Sequence, residues 1–235
     1  MRRWLGIFLP SDVIAYCQNN SKTETALPMN FESDRLDVNH LSCTKGDRIL
    51  FSDIDFSLGS GEWLHVRGAN GAGKTSLLRL LAGLSSPASG SIRWNGSDVA
   101  KGRQAYREAL LYLGHPAGAK EELTPLENLR IAASIDGTQL DDRTALGALS
   151  RVGLRGREDL PLRSLSQGQK RRVLLSLLIT RKARLWILDE PLTALDVRAI
   201  DLVSELVAEH VAAGGLAVLT SHQAIPIAGG RELTL

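Results

Sequence analysis

Cysteine is scarce, aromatic residues are scarce, and neither sign of charge dominates. The chain holds two cysteines, Cys17 and Cys43. Two thiols build neither a disulfide framework nor a zinc site, so a reducing cytosolic compartment is the expected setting. The 28 Lys and Arg nearly balance the 26 Asp and Glu, leaving a net charge of +2. So small an excess leaves no bulk electrostatic footprint for nucleic acid. No run approaches the ~18 consecutive apolar residues that a membrane span needs. The densest runs, residues 77–81 and 173–179, have the length of core helices. A pore, if the function needs one, belongs to another chain.

What remains is 235 residues, 43% hydrophobic and 23% charged. That is an ordinary globular composition, long enough to bury a core without disulfides or metals. Residues 1–33 carry no clear period and read as a flexible N-terminal extension. Met29 is an alternative start. The opening Met1-Arg2-Arg3-Trp4-Leu5-Gly6-Ile7-Phe8-Leu9 mimics a signal peptide. Its apolar part is short, however, and Pro10, Ser11 and Asp12 follow where a small-residue cleavage site would stand.

The ordered domain is expected over residues 34–235. Between Leu36 and Leu58, short apolar alternations at Ile49-Leu50-Phe51 and Ile54 to Leu58 predict antiparallel strands. Trp63-Leu64-His65-Val66 reads as a buried strand, followed after a loop by a helix from Ser76 to Ala82 with Gly83 as its C-cap. Residues 115–165 look helical and more polar, and form the candidate smaller lobe. Leu185 to Leu188 is a further strand. Val197, Ile200, Val203, Leu206, Val207 and Val211 share one face of the helix after it. Leu216 to Leu219 reads as a last apolar strand. Strands alternating with helices predict an α/β fold, a mostly parallel sheet covered by helices.

Chemistry enters with Gly68-Ala69-Asn70-Gly71-Ala72-Gly73-Lys74-Thr75, which fits G-x-x-x-x-G-K-[ST] between a strand and a helix. Glycines let backbone N–H groups wrap a polyanion, and the following helix points its positive end at it. Lys74 would reach the β and γ phosphates. The Thr75 hydroxyl would ligate Mg²⁺, with Ser76 next in the loop. The pair Asp189-Glu190 ends an apolar strand. Beside a phosphate loop, Asp189 can hold Mg²⁺ and Glu190 can orient or deprotonate an attacking water.

Leu165-Ser166-Gln167-Gly168-Gln169 stands just ahead of that strand, Ser166 lying 23 residues before Asp189. It resembles the Leu-Ser-Gly-Gly-Gln signature of ATP-binding-cassette ATPases, with Gln167 in place of the first glycine. Thr193-Ala194-Leu195-Asp196 is similar to the family's D-loop, and His222 to its switch histidine. The resemblance covers about residues 36–225. It implies a P-loop NTPase-type core with an antiparallel β subdomain and a helical lobe, using ATP and Mg²⁺. The ATP contacts it implies are Gly68, Asn70, Gly71, Ala72, Gly73, Lys74, Thr75 and Ser76. Glu190 and His222 would be catalytic. Two copies would pair head to tail, so that Ser166, Gly168 and Gln169 meet the nucleotide bound to the partner.

Three cations, Lys170, Arg171 and Arg172, open the signature helix, where positive charge opposes the dipole. Either an anion or acidic neighbour offsets them, or they form a solvated basic face. Two positions depart from the family pattern. No aromatic stands in Ser42-Cys43-Thr44-Lys45-Gly46 to stack on adenine, leaving Arg48 or Cys43 as substitutes. No glutamine stands in Tyr112-Leu113-Gly114-His115-Pro116, where His115 or a water would take the Q-loop role.

Among cassettes, Tyr112 to His115, Leu123 to Leu129 and Leu219 to Gln223 resemble the ATP-binding subunits of cytochrome c biogenesis haem exporters. So does the stretch from Gly71 to Arg79. That resemblance implies a peripheral subunit at the cytoplasmic face of the inner membrane. It would dock on separate transmembrane chains near 115–129 and drive haem export or release for attachment to apocytochrome c. The alternatives are an ATPase subunit of another exporter, or a soluble nucleotide-gated interaction protein. A cassette that binds without hydrolysing is disfavoured by the presence of both Glu190 and His222.

Overall fold

A computed structural model describes residues 34–114, 119–222 and 225–235. These all fall in the unit spanning residues 31–235. The expected N-terminal extension, Met29, Cys17 and His115 lie outside the described residues.

The first layer is antiparallel. Strands β1 (Arg35–Lys45) and β2 (Arg48–Gly59) form a long hairpin, and β4 (Ser89–Trp94) and β5 (Ser97–Asp98) extend it in the order β2-β1-β4-β5. The inward positions of β1 change parity partway. Leu36 and Val38 are buried, then Leu41 and Cys43. His40, at φ 48°, supplies the extra residue, and the register shifts between Val38 and Leu41. Such a bulge re-aims the strand's faces. Gly90 is required opposite it, because a Cβ there would stand 2.3 Å from the His40 carbonyl oxygen.

The second layer is built from β3 (Trp63–Arg67), β6 (Leu110–Leu113), β7 (Leu185–Leu188), β8 (Leu216–Thr220) and β9 (Arg231–Thr234). They form a five-stranded sheet in the order β6-β7-β8-β3-β9, parallel throughout. β7 and β8 are buried at every residue, as strands covered on both faces must be. The parallel sheet is as predicted, and Leu216 to Leu219 is its last apolar strand. β9 follows at the edge beside β3. Its Arg-Glu-Leu-Thr sequence has no apolar run, since an edge strand leaves most side chains exposed.

The helices are α1 (Lys74–Leu81), α2 (Arg103–Ala109), α3 (Pro125–Ile135), α4 (Asp142–Arg151), α5 (Gln167–Leu175), α6 (Leu177–Thr180) and α7 (Val197–Ala212). α1 starts two residues ahead of the expected Ser76, and Ala82 closes it, with Gly83 (φ 66°) one position beyond. Between 115 and 165 stand α3, α4 and a 3₁₀ turn, Leu162–Ser164. α3 begins on a capping box between Thr124 and Glu127, with Pro125 at its first position. One apolar cluster joins the antiparallel layer to α1 and one face of the parallel sheet. A second joins the opposite face to α4, α5 and α7.

Candidate functional site

The loop from Gly68 to Gly73 leaves β3 and enters α1 directly. Three of its glycines sit at positive φ: Gly68 at 149°, Gly71 at 80° and Gly73 at 107°. Gly73 is the tightest constraint. A Cβ there would lie 3.0 Å from the Phe51 ring and 3.1 Å from Leu50, against strand β2. Lys74 opens α1 and is buried. Its ammonium donates to the carbonyl oxygens of Gly68 (2.8 Å) and Ala69 (3.3 Å), so the side chain folds back along the loop.

β7 delivers Asp189 and Glu190 to the same end of the sheet. Asp189 is 1% exposed. Its Oδ1 accepts a 2.8 Å bond from the Thr220 hydroxyl, while its Oδ2 is buried with no hydrogen-bond partner among the described residues. The Thr220 oxygen in turn accepts from the Glu190 N–H at 2.8 Å. Glu190 stands at φ 49°, the left-handed region that a glutamate enters only under constraint. His222 Nε2 lies 3.3 Å from Glu190 Oε1. This is a salt-bridge distance without hydrogen-bond geometry, so among the described residues that oxygen too has no hydrogen-bond partner.

A cavity of about 380 Å³ brings these groups together. Asn70, Gly71, Gly73, Lys74, Thr75 and Ser76 form one wall; Asp189, Glu190 and His222 form the other. Lys45 and Arg48 stand on its rim with Leu50. Three cations around a loop of backbone N–H groups suit a polyphosphate. Gly68 and Ala72 belong to the loop without lining the cavity. Of the two substitutes for an adenine-stacking ring, Arg48 is at the cavity and Cys43 is not. Cys43 sits in the core beneath the hairpin, and burial pushes its thiol pKa up. Tyr112, half-buried, has its hydroxyl pKa raised first by burial and then by the Asp189 carboxylate.

Ser166, Gly168 and Gln169 are absent from this cavity. They open α5 with a capping box, in which the Ser166 hydroxyl accepts from the Gln169 N–H and the Gln169 side chain accepts from the Ser166 N–H. Gly168 leaves room for the 193–196 segment: a Cβ there would meet the Ala194 carbonyl oxygen at 3.0 Å. The three cations that follow do not form a solvated face. Lys170 pairs with Glu121 at 2.7 Å, and Arg172 grips both oxygens of Asp196 at 2.8 and 2.7 Å. The N–H of Ala199, followed by Arg172, holds the Asp196 carboxyl below its usual range. Arg171 turns inward. Its Nη2 donates to the carbonyl oxygens of Asp189 (3.0 Å) and Glu190 (2.8 Å). Longer contacts of 3.5 Å reach Gly114 from Nη1 and Pro191 from Nε. Burial lowers its pKa, and Asp189 and Glu190 act against that.

Thr220 and Arg171 were given no individual role by sequence. Thr220 lies 31 residues from the carboxylate it bonds. The only signal for Arg171 was a charge misplaced against a helix dipole.

Residues 51–193 match the ABC transporter family. The chain is 53% identical over 196 residues to the cytochrome c biogenesis ATP-binding export protein CcmA of Methylococcus capsulatus, covering 83% of this chain and 95% of that one. It is 50% identical over 190 residues to the protein of the same description from Nitrosomonas europaea, covering 81% and 89%. A putative ABC transporter ATP-binding protein from Pyrococcus furiosus superposes with a TM-score of 0.75 at 25% identity, over 86% of this chain and 97% of that one. With a phosphate loop, paired strand-end carboxylates and a signature helix in that family's order, the chain belongs to the ABC transporter family as one of its ATP-hydrolysing subunits.

Proposed function

We propose that this chain is the ATPase subunit of a membrane ABC complex acting in cytochrome c biogenesis, where its cycle drives haem export or the release of haem for attachment to apocytochrome c. The substrate side rests on the described function of relatives at about half identity. The chemical side rests on one observation: Lys74, Asp189, Glu190 and His222 share the walls of a single cavity.

Lys74 and the loop N–H groups bind the phosphates of ATP. Binding draws the ammonium off the Gly68 and Ala69 carbonyls towards a stronger anionic partner. Glu190 orients the attacking water and takes its proton, and His222 beside it completes the γ-phosphate end. The unpartnered Asp189 Oδ2 is the kind of oxygen that a cation satisfies. Thr75 and Asp189 would hold Mg²⁺, which when bound neutralises phosphate charge. Arg48 on the rim takes the place of a stacking aromatic.

Exposed Ser166 and the adjoining Gly168 and Gln169 stand outside the chain's own cavity. That supports a second copy in head-to-tail pairing, each signature closing the other's nucleotide site. Residues 34–235 form the ATPase domain, with its helical lobe at about 115–165, and residues 1–33 are an extension. No described helix is long and apolar enough to cross a membrane. On the family resemblance, the transmembrane part is assigned to separate chains and this subunit to the cytoplasmic face.

Affinity capture of the full chain from detergent-solubilised membranes tests the assignment. Recovery of integral membrane subunits together with haem-handling proteins is expected. Recovery of a different exporter's membrane subunits would overturn the biogenesis role, and recovery of ribosomes would overturn transport altogether.

A further inference from the structure

The Asp189–Glu190 peptide is gripped from two sides. From β8, the Thr220 hydroxyl bonds both the Asp189 carboxylate and the Glu190 N–H. From α5, the Arg171 guanidinium bonds the two carbonyls of the same pair, at 3.0 and 2.8 Å. Between the two grips Glu190 holds φ 49°. A left-handed glutamate persists only where its surroundings over-determine it, and strain of this kind is used to aim a side chain. Glu190 Oε1 is buried without a hydrogen-bond partner, 3.3 Å from His222. Among the described residues no hydrogen bond fixes that oxygen, so the two backbone grips carry its orientation.

The guanidinium suits this task because its planar fork presents several donors in a fixed geometry. Its neighbours Lys170 and Arg172 are paired with carboxylates, while Arg171 bonds only main-chain oxygens. It sits in the second turn of α5, two residues past the Ser166–Gln169 capping box. A rigid turn of helix thus connects the exposed signature to the backbone beneath Glu190.

We infer that Arg171 is a positioning residue for ATP hydrolysis, holding the Asp189–Glu190 backbone so that Glu190 faces the attacking water, and that it ties the geometry of Glu190 to the placement of the chain's own signature helix. This rests on the reading of Glu190 as the base given above.

The test uses the full chain as Arg171→Met, Arg171→Lys and Arg171→Ala, with Glu190→Gln alongside. Turnover, KM for ATP, equilibrium ATP affinity and melting temperature are measured for each. Arg171→Met should lower kcat about tenfold or more and leave ATP affinity within about twofold, since Arg171 does not line the nucleotide cavity. Added guanidinium should restore part of the turnover of Arg171→Ala and none of that of Glu190→Gln. Where the Met variant fails to fold, Arg171→Lys decides. A point charge cannot reproduce the fork, so kcat should fall with KM unchanged. Wild-type kcat in the Arg171 variants beside an inactive Glu190→Gln overturns the inference alone. So does an equal loss of kcat and ATP affinity. Full turnover in Glu190→Gln overturns the base assignment and the inference with it.

Discussion

Two polar regions of this molecule stand close together and are built in opposite ways. At the cavity, polar groups are left wanting: Asp189 Oδ2 and Glu190 Oε1 are buried without hydrogen-bond partners, and Lys74 is held only by neutral carbonyls. At the signature helix, every cation has a fixed partner in the chain: Glu121 for Lys170, main-chain oxygens for Arg171, Asp196 for Arg172. Buried polar groups are almost always satisfied, because leaving one unpaired costs about 1–3 kcal/mol. On the reading proposed above, the unsatisfied groups at the cavity are those that a ligand would complete. The satisfied set is scaffold that aims the first.

That contrast can be broken most forcefully at Lys74. Lys74→Ala should weaken ATP binding about 10- to 100-fold, the loss of a charge-assisted contact of about 1.5–3 kcal/mol. Isothermal calorimetry reads it directly, and unchanged affinity would remove the phosphate loop from the account. The scaffold should answer to pH in stability and not in nucleotide binding. His210 stacks on Trp186 with ring centroids 3.9 Å apart, and burial lowers its pKa from 6.5 to about 4. The folded protein keeps this ring neutral, while the unfolded chain protonates it below about pH 6.5. Stability contributed by the neutral ring is therefore complete above pH 6.5 and lost as pH falls towards about 4. The loss should reach about 3 kcal/mol. His210→Phe should flatten that part of the melting profile, and an unaltered slope would place the acid sensitivity elsewhere. The smallest effect belongs to Asp196, which caps α7 and pairs with Arg172. Asp196→Ala should lower the midpoint of chemical denaturation slightly, through the lost helix cap, while ATP affinity holds. A loss of affinity would mean that the two regions are not separable as described.

How much of this was legible in sequence follows from distance along the chain. The phosphate loop is contiguous, so its eight residues name themselves. The Asp189-Glu190 pair and His222 were readable only by their order relative to that loop. The capping box at Ser166 and Gln169 is likewise local. Thr220 and Arg171 were silent because their partners lie 31 and 18 to 19 residues away, and neither contact leaves a periodic trace. β9 was missed because an edge strand needs no apolar run. The β1 bulge was missed because His40 and Gly90 meet only once the sheet has formed.

The central claim is that one cavity binds ATP and that Glu190 converts it. Side-by-side measurement of ATP affinity and ATP turnover in Glu190→Gln tests this most directly. Affinity within about twofold of wild type is expected, with turnover reduced by about 10²–10⁴-fold, the range of a lost general base. Turnover at the wild-type rate with intact binding would contradict it.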